Sequence, residues 1–77
     1  MHYNKTQIVL FIYEQFIDKG IVQPDEIKKK FSLEERTFLR YIAEVRAYLY
    51  NFYKGFDIYY IRSQGIYKYI GYTKEVA

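Results

Sequence analysis

Five large apolar residues, Phe38, Ile42, Val45, Leu49 and Phe52, follow one another at spacings of 4, 3, 4 and 3 residues. On an α-helix that rhythm draws one continuous stripe, whereas on a strand it would scatter the same residues over both faces. The spacing predicts a helix that begins near Glu34 and ends at about Asn51, with Lys54-Gly55 breaking the pattern. At about 100° per residue the face opposite the stripe holds Arg36, Arg40, Ala43 and Ala47. It is basic at its N-terminal end and small further on. A helix with one apolar stripe needs other elements to cover it, and a chain of 77 residues offers few.

Two helices are predicted ahead of it. Ile8, Ile12 and Phe16 recur every four residues, with Phe11 widening their face, so Lys5 to Lys19 reads as a helix that Gly20 stops. The run I-V-L-F-I-Y at 8–13 is apolar almost all round. This helix therefore either lies deep in the domain or buries a second face against a partner. Ile21-Val22-Gln23 leads on to Pro24, which suits a first helical turn because its missing N–H is not needed there. Asp25 and Glu26 favour that helix start electrostatically. A short second helix, Pro24 to about Lys30, follows, with Ile27 and Phe31 as core contacts. Lys28, Lys29 and Lys30 occupy its other faces. Such a run is ordinarily a solvated face; contact with phosphates, through Lys29, is the alternative.

After the long helix come two runs rich in β-branched and aromatic residues, F-D-I-Y-Y-I-R (56–62) and I-Y-K-Y-I-G-Y (66–72). Ser63, Gln64 and Gly65 separate them and read as a hairpin loop in which Gly65 is free to take positive φ. The expected fold is mainly α with a small β-hairpin: three helices followed by a two-stranded unit, one domain over residues 1–77.

The sequence weighs against several function classes. No cysteine is present, so disulfides and thiolate metal sites are out, and a cytoplasmic setting is expected. No stretch approaches the roughly 18 apolar residues of a membrane span, and the N-terminal residues lack a signal-peptide pattern. The lone histidine, His2, is at the N-terminus. There is no Gly-rich phosphate loop and no HExxH, and the carboxylates follow helix ends instead of converging. An enzyme, a cofactor and a metal site are therefore not expected. The net charge of +3 permits a nucleic-acid partner without demanding one.

A short helix, a tight turn, a longer helix with a basic outer face and a C-terminal hairpin together make a winged helix-turn-helix pattern. In that pattern the second helix braces the third, whose N-terminal half enters the major groove. The segment K-K-K-F-S-L-E-E-R-T-F-L-R-Y-I-A-E-V-R-A-Y-L resembles the recognition segment of DeoR-like winged-helix regulators, especially the N-terminal domains of WYL-domain transcription regulators. That family shows F-G-V-S-x-R-T-I-x-R-D-I, an apolar–Arg pair, and a wing ending in G-Y-x-L. Phe31, Leu33, Arg36, Thr37, Phe38, Arg40 and Ile42 fall on matching positions, Val45-Arg46 on the apolar–Arg pair, and Arg62 to Tyr67 on the wing. The likeness covers residues 5 to 72. Ser32 stands where the family has Gly, Glu34 where it has a capping Ser, and Tyr41 where it has Asp; Lys68 departs from the wing's final apolar residue.

The resemblance implies a double-stranded DNA partner, a bacterial transcription regulator and a homodimer. A C-terminal sensor domain in a longer chain is one setting, with G-Y-T-K-E-V-A as the start of a linker; a small stand-alone protein is the other. Arg36 and Arg40 are the leading DNA contacts, to phosphates or bidentately to guanine. Thr37 can bond a phosphate and Leu39 can pack on a thymine methyl. Arg62, Ser63, Gln64 and Lys68 are phosphate candidates on the wing. Glu34 and Glu35 favour the helix start by about 0.3–1 kcal/mol each yet oppose nonspecific binding. A glutamate such as Glu35 can also accept from cytosine N4. Arg46, nearer the stripe, is read as bracing an acidic group. Two starts for the long helix remain open. One is a Ser32–Glu35 capping box; the other, favoured by the stripe, has Glu34 at the N-cap with Leu33 and Phe38 as a hydrophobic staple. A protein-binding module without DNA contact is the alternative function.

Overall fold

The computed structural model describes residues 3–53 and 56–71. Three helices, α1 (Lys5–Lys19), α2 (Pro24–Phe31) and α3 (Glu35–Phe52), are joined by three strands, β1 (Ile21–Val22), β2 (Phe56–Ile61) and β3 (Ile66–Gly71). The fold is mainly helical with a small antiparallel sheet ordered β1-β3-β2. The expected two-stranded unit is thus three-stranded, because the connector Ile21-Val22 pairs with Lys68 and Tyr67. Gly20 explains how. It closes α1 in the left-handed region at φ 76°, and its carbonyl accepts the Tyr69 N–H at 2.8 Å. The turn that ends α1 therefore delivers the chain straight onto β3. At the other end of α1, Asn4 and Gln7 form a reciprocal capping box, with Asn4 Oδ1 accepting from the Gln7 N–H at 2.8 Å.

The core gathers Ile8, Ile12 and Phe16 from α1 and Phe38, Ile42, Val45 and Leu49 from α3, closed by Val22, Ile27 and Ile58. Phe52 does not join it. It is 68% exposed, whereas Tyr41 is 8% exposed. Tyr41 and Phe52 are almost a whole number of helical turns apart and share a face. The difference is therefore axial: Phe52 is the last residue of α3, past the end of the core. The 4-3-4-3 stripe stops at Leu49, and Tyr41 widens it about two turns earlier.

The α2–α3 turn answers the question of helix starts. α2 ends at Phe31, one residue beyond expectation, and Ser32 takes φ 54°, ψ 49°. The Leu33 N–H reaches back to the Lys28 carbonyl at 2.8 Å, the bond of a Schellman motif. Ser32 is thereby the left-handed residue after α2, so the Ser32–Glu35 capping box does not form. Glu34 is the N-cap of α3, and its side chain makes no capping hydrogen bond. Leu33 packs against the core next to that start.

β2 and β3 pair from Phe56↔Gly71 to Ile61↔Ile66, leaving a four-residue loop, Arg62 to Gly65. Arg62 therefore belongs to the loop and not to the strand. The N–H groups of Gln64 and Gly65 both bond the Ile61 carbonyl, at 3.1 and 2.8 Å, and Gly65 takes φ 67°. The expected break at Lys54-Gly55, the strand residue Tyr72 and the linker-like C-terminus lie outside the described residues, as does His2. No helix among the described residues is long and apolar enough to cross a membrane.

Candidate nucleic-acid interface

The site is built on the first three turns of α3. The buried stripe of Phe38, Tyr41, Ile42, Val45 and Leu49 fixes the rotation of the helix, and that rotation turns Arg36 and Arg40 outward, one turn apart and exposed. Neither forms an ion pair with a described residue. Lys5, Lys28 and Arg46, by contrast, each hold a carboxylate. Thr37 is half-buried on the flank towards α1, and Leu39 is exposed on the flank towards the sheet.

A groove of about 460 Å³ separates the start of α3 from α2 and the hairpin. Pro24, Lys28, Glu35, Leu39, Tyr60 and Gly65 are on its walls. The hairpin loop thus stands beside the first turns of α3. Two aromatic contacts set it there: Tyr67 packs on Phe38 at a centroid separation of 6.0 Å, and Tyr60 packs on Tyr67 at 5.0 Å. Burial pushes the Tyr67 phenol upward from its ordinary value. Arg62, Ser63 and Gln64 are exposed at the loop tip. Gly65 turns the loop with open space around its α-carbon.

Two expected contacts have other surroundings. Glu35 is bound by Lys28, with Nζ to Oε1 at 2.5 Å, and Asp25 lies 3.7 Å from the same ammonium. The hydrogen bond that Lys28 donates to Glu35 holds the Lys28 pKa above its ordinary value. Glu35 therefore meets a neighbouring cation before any base edge. Lys68 is on the central strand, opposite Ile21 and Tyr59. Its strand neighbours Tyr67 and Tyr69 face Phe38 and Phe16. By the alternation of strand side chains, Lys68 points to the other face of the sheet. The structure does not bring it together with Arg36 and Arg40. Lys29 is exposed on α2 and Lys30 lies over the rings of Phe11 and Phe31, at 5.4 and 5.8 Å.

Arg46 braces an acidic group, as its place beside the stripe predicts. Its Nε and Nη2 meet the two carboxylate oxygens of Asp57 at 2.6 and 2.9 Å, which ties α3 to β2. Arg46 holds the Asp57 carboxyl below its usual range, helped by the Ile58 N–H at 2.7 Å. Asp57 as the partner was not foreseeable, because strand register places it. Among the described residues no group of histidine, cysteine or carboxylate side chains is arranged to hold a metal ion. Comparison with known proteins returns no match to a family, to a curated protein or to a solved structure.

Proposed function

We propose that the chain is a winged helix-turn-helix domain that binds double-stranded DNA sequence-specifically, as the DNA-binding part of a bacterial transcription regulator, and that it is not an enzyme. The observation that carries this reading is the pair Arg36 and Arg40: adjacent on one exposed face of α3, unpaired among the described residues, and on the same turns of α3 whose Glu35 and Leu39 border the hairpin. A helix with that face fits the major groove with its N-terminal half, while α2 braces it. The loop residues Arg62, Ser63 and Gln64 then serve as the wing on the neighbouring backbone. Arg36 and Arg40 either position the protein on phosphates or read guanine bidentately.

A second reading is a winged-helix module that binds protein. Asp25, Glu26, Glu34 and Glu35 at the starts of α2 and α3 favour it, because they lower the positive potential where phosphates would lie. Titration with duplex DNA at several salt concentrations separates the two. DNA binding by this face loses affinity steeply as salt rises and weakens when Arg36 and Arg40 are replaced.

A further inference from the structure

Exposed apolar side chains collect where α1 and α3 run side by side, at the end of α3 away from Arg36 and Arg40. Leu10 and Ile17, two turns apart on α1, and Tyr48, Phe52 and Tyr53 are exposed by 40 to 68%. Leu10, Tyr48, Phe52 and Tyr53 adjoin one another, and Ile17 lies on the same face of α1 as Leu10. Leu10 and Tyr48 share a groove of about 320 Å³ between the helices. Tyr48 packs on Phe52 at 4.9 Å and edge-on to Tyr13 at 5.6 Å. The hydroxyls of Tyr13 and Tyr53 lie 3.3 Å apart.

We propose that this surface is the two-fold interface of a homodimer, with the C-terminal ends of α3 meeting at the dyad. Three observations select a second copy of this chain as the occupant. The first is area. Taking about 200 Å² per large side chain, the five residues expose roughly 500 Å². A standard interface buries about 800 Å² per partner, rather more than half of it apolar, so the patch supplies the apolar share of one interface.

The second is charge. Glu14 lies between Leu10 and Ile17 on α1, and Glu44 lines the groove with its charge held by Lys5 at 2.6 Å. An exposed carboxylate within the patch suits neither nucleic acid nor an anionic membrane.

The third is spacing, and it rests on the DNA-binding reading above. The centre of the Arg36–Arg40 pair and the centre of the Tyr48–Phe52 pair are about 18 Å apart along the axis of α3. Two copies meeting at the Tyr48 end place their basic faces up to about 36 Å apart, against the roughly 34–36 Å between half-sites one helical turn apart.

Sedimentation equilibrium of the 77-residue chain without DNA tests the proposal, with Tyr48→Glu and Leu10→Glu as variants and circular dichroism to check their folding. Leu10 is exposed, so its variant decides the matter should Tyr48→Glu unfold. The expected result is a dimer of 9.5 kDa chains whose dissociation constant rises at least about tenfold in each folded variant. A chain that stays monomeric at high protein concentration overturns the interface, as does a dimer that the folded variants leave unchanged. The double variant Arg36→Ala, Arg40→Ala should dimerise normally. Loss of the interface is therefore distinguishable from loss of DNA binding.

Discussion

Lys28 on α2 and Glu35 at the start of α3 are joined by a 2.5 Å ion pair across the turn between the two helices. If Arg36 and Arg40 approach DNA as proposed, the pair neutralises a carboxylate that would otherwise face the phosphates. Glu35→Gln releases Lys28, and the affinity for duplex DNA should rise about threefold at low salt, an advantage that disappears as salt screens it. Lys28→Met leaves Glu35 unpaired and should weaken binding by a similar factor. Fluorescence anisotropy on one DNA duplex measures both. Equal affinities for the two variants would show that this end of α3 does not approach DNA.

Ser32 occupies a left-handed backbone position at φ 54°, where a Cβ is unfavourable. Ser32→Gly removes that cost and should stabilise the fold by about 0.5–1 kcal/mol, or several degrees in Tm for a domain of this size. Urea unfolding provides the check. A destabilised glycine variant would mean that the Ser32 side chain makes a contribution larger than the strain.

Glu34 begins α3 without a capping hydrogen bond. Serine caps better than glutamate, so Glu34→Ser should add about 0.5–1 kcal/mol of stability while removing one negative charge from the same helix end. Thermal unfolding reads the first effect and DNA titration the second; both should move upward.

Asp57 has a lowered pKa because Arg46 binds it, so the bond stabilises the fold above the unfolded carboxyl value of about 3.9 and ceases to do so as pH falls through the lower folded value. Arg46→Met should therefore cost roughly 1 kcal/mol near neutral pH and almost nothing in strong acid, with the figure kept small because the guanidinium is half-exposed. Unfolding free energies measured across the acid range would expose a pH-independent cost, which points to lost packing of the arginine stem instead.

Much of this architecture is legible in the sequence because helical periodicity is a local signal. The spacing of Ile8, Ile12 and Phe16 set α1, the stripe from Phe38 to Leu49 set the rotation of α3, and Pro24 and Gly20 marked boundaries where they occur. What escaped depends on distant pairing. Ile21-Val22 is too short to declare itself a strand and becomes one only because β3 is present to bond it. Phe52 fits the stripe by angle but overruns the core, a length that no periodicity encodes. The partner of Arg46 is fixed by the register of β2, and that of Glu35 by the turn geometry around Ser32. The outward placement of Arg36 and Arg40 followed from the stripe alone. That Lys68 faces away from them required the register.

The proposed DNA-binding role of Arg36 and Arg40 is tested by the slope of log affinity against log salt for the chain and for Arg36→Ala, Arg40→Ala. If both arginines contact phosphates, the double variant should bind more weakly and its slope should be shallower by about two. If they read bases, discrimination between duplex sequences should fall by about 1–3 kcal/mol per arginine instead. Identical affinity, salt slope and sequence preference in the two proteins would contradict the account.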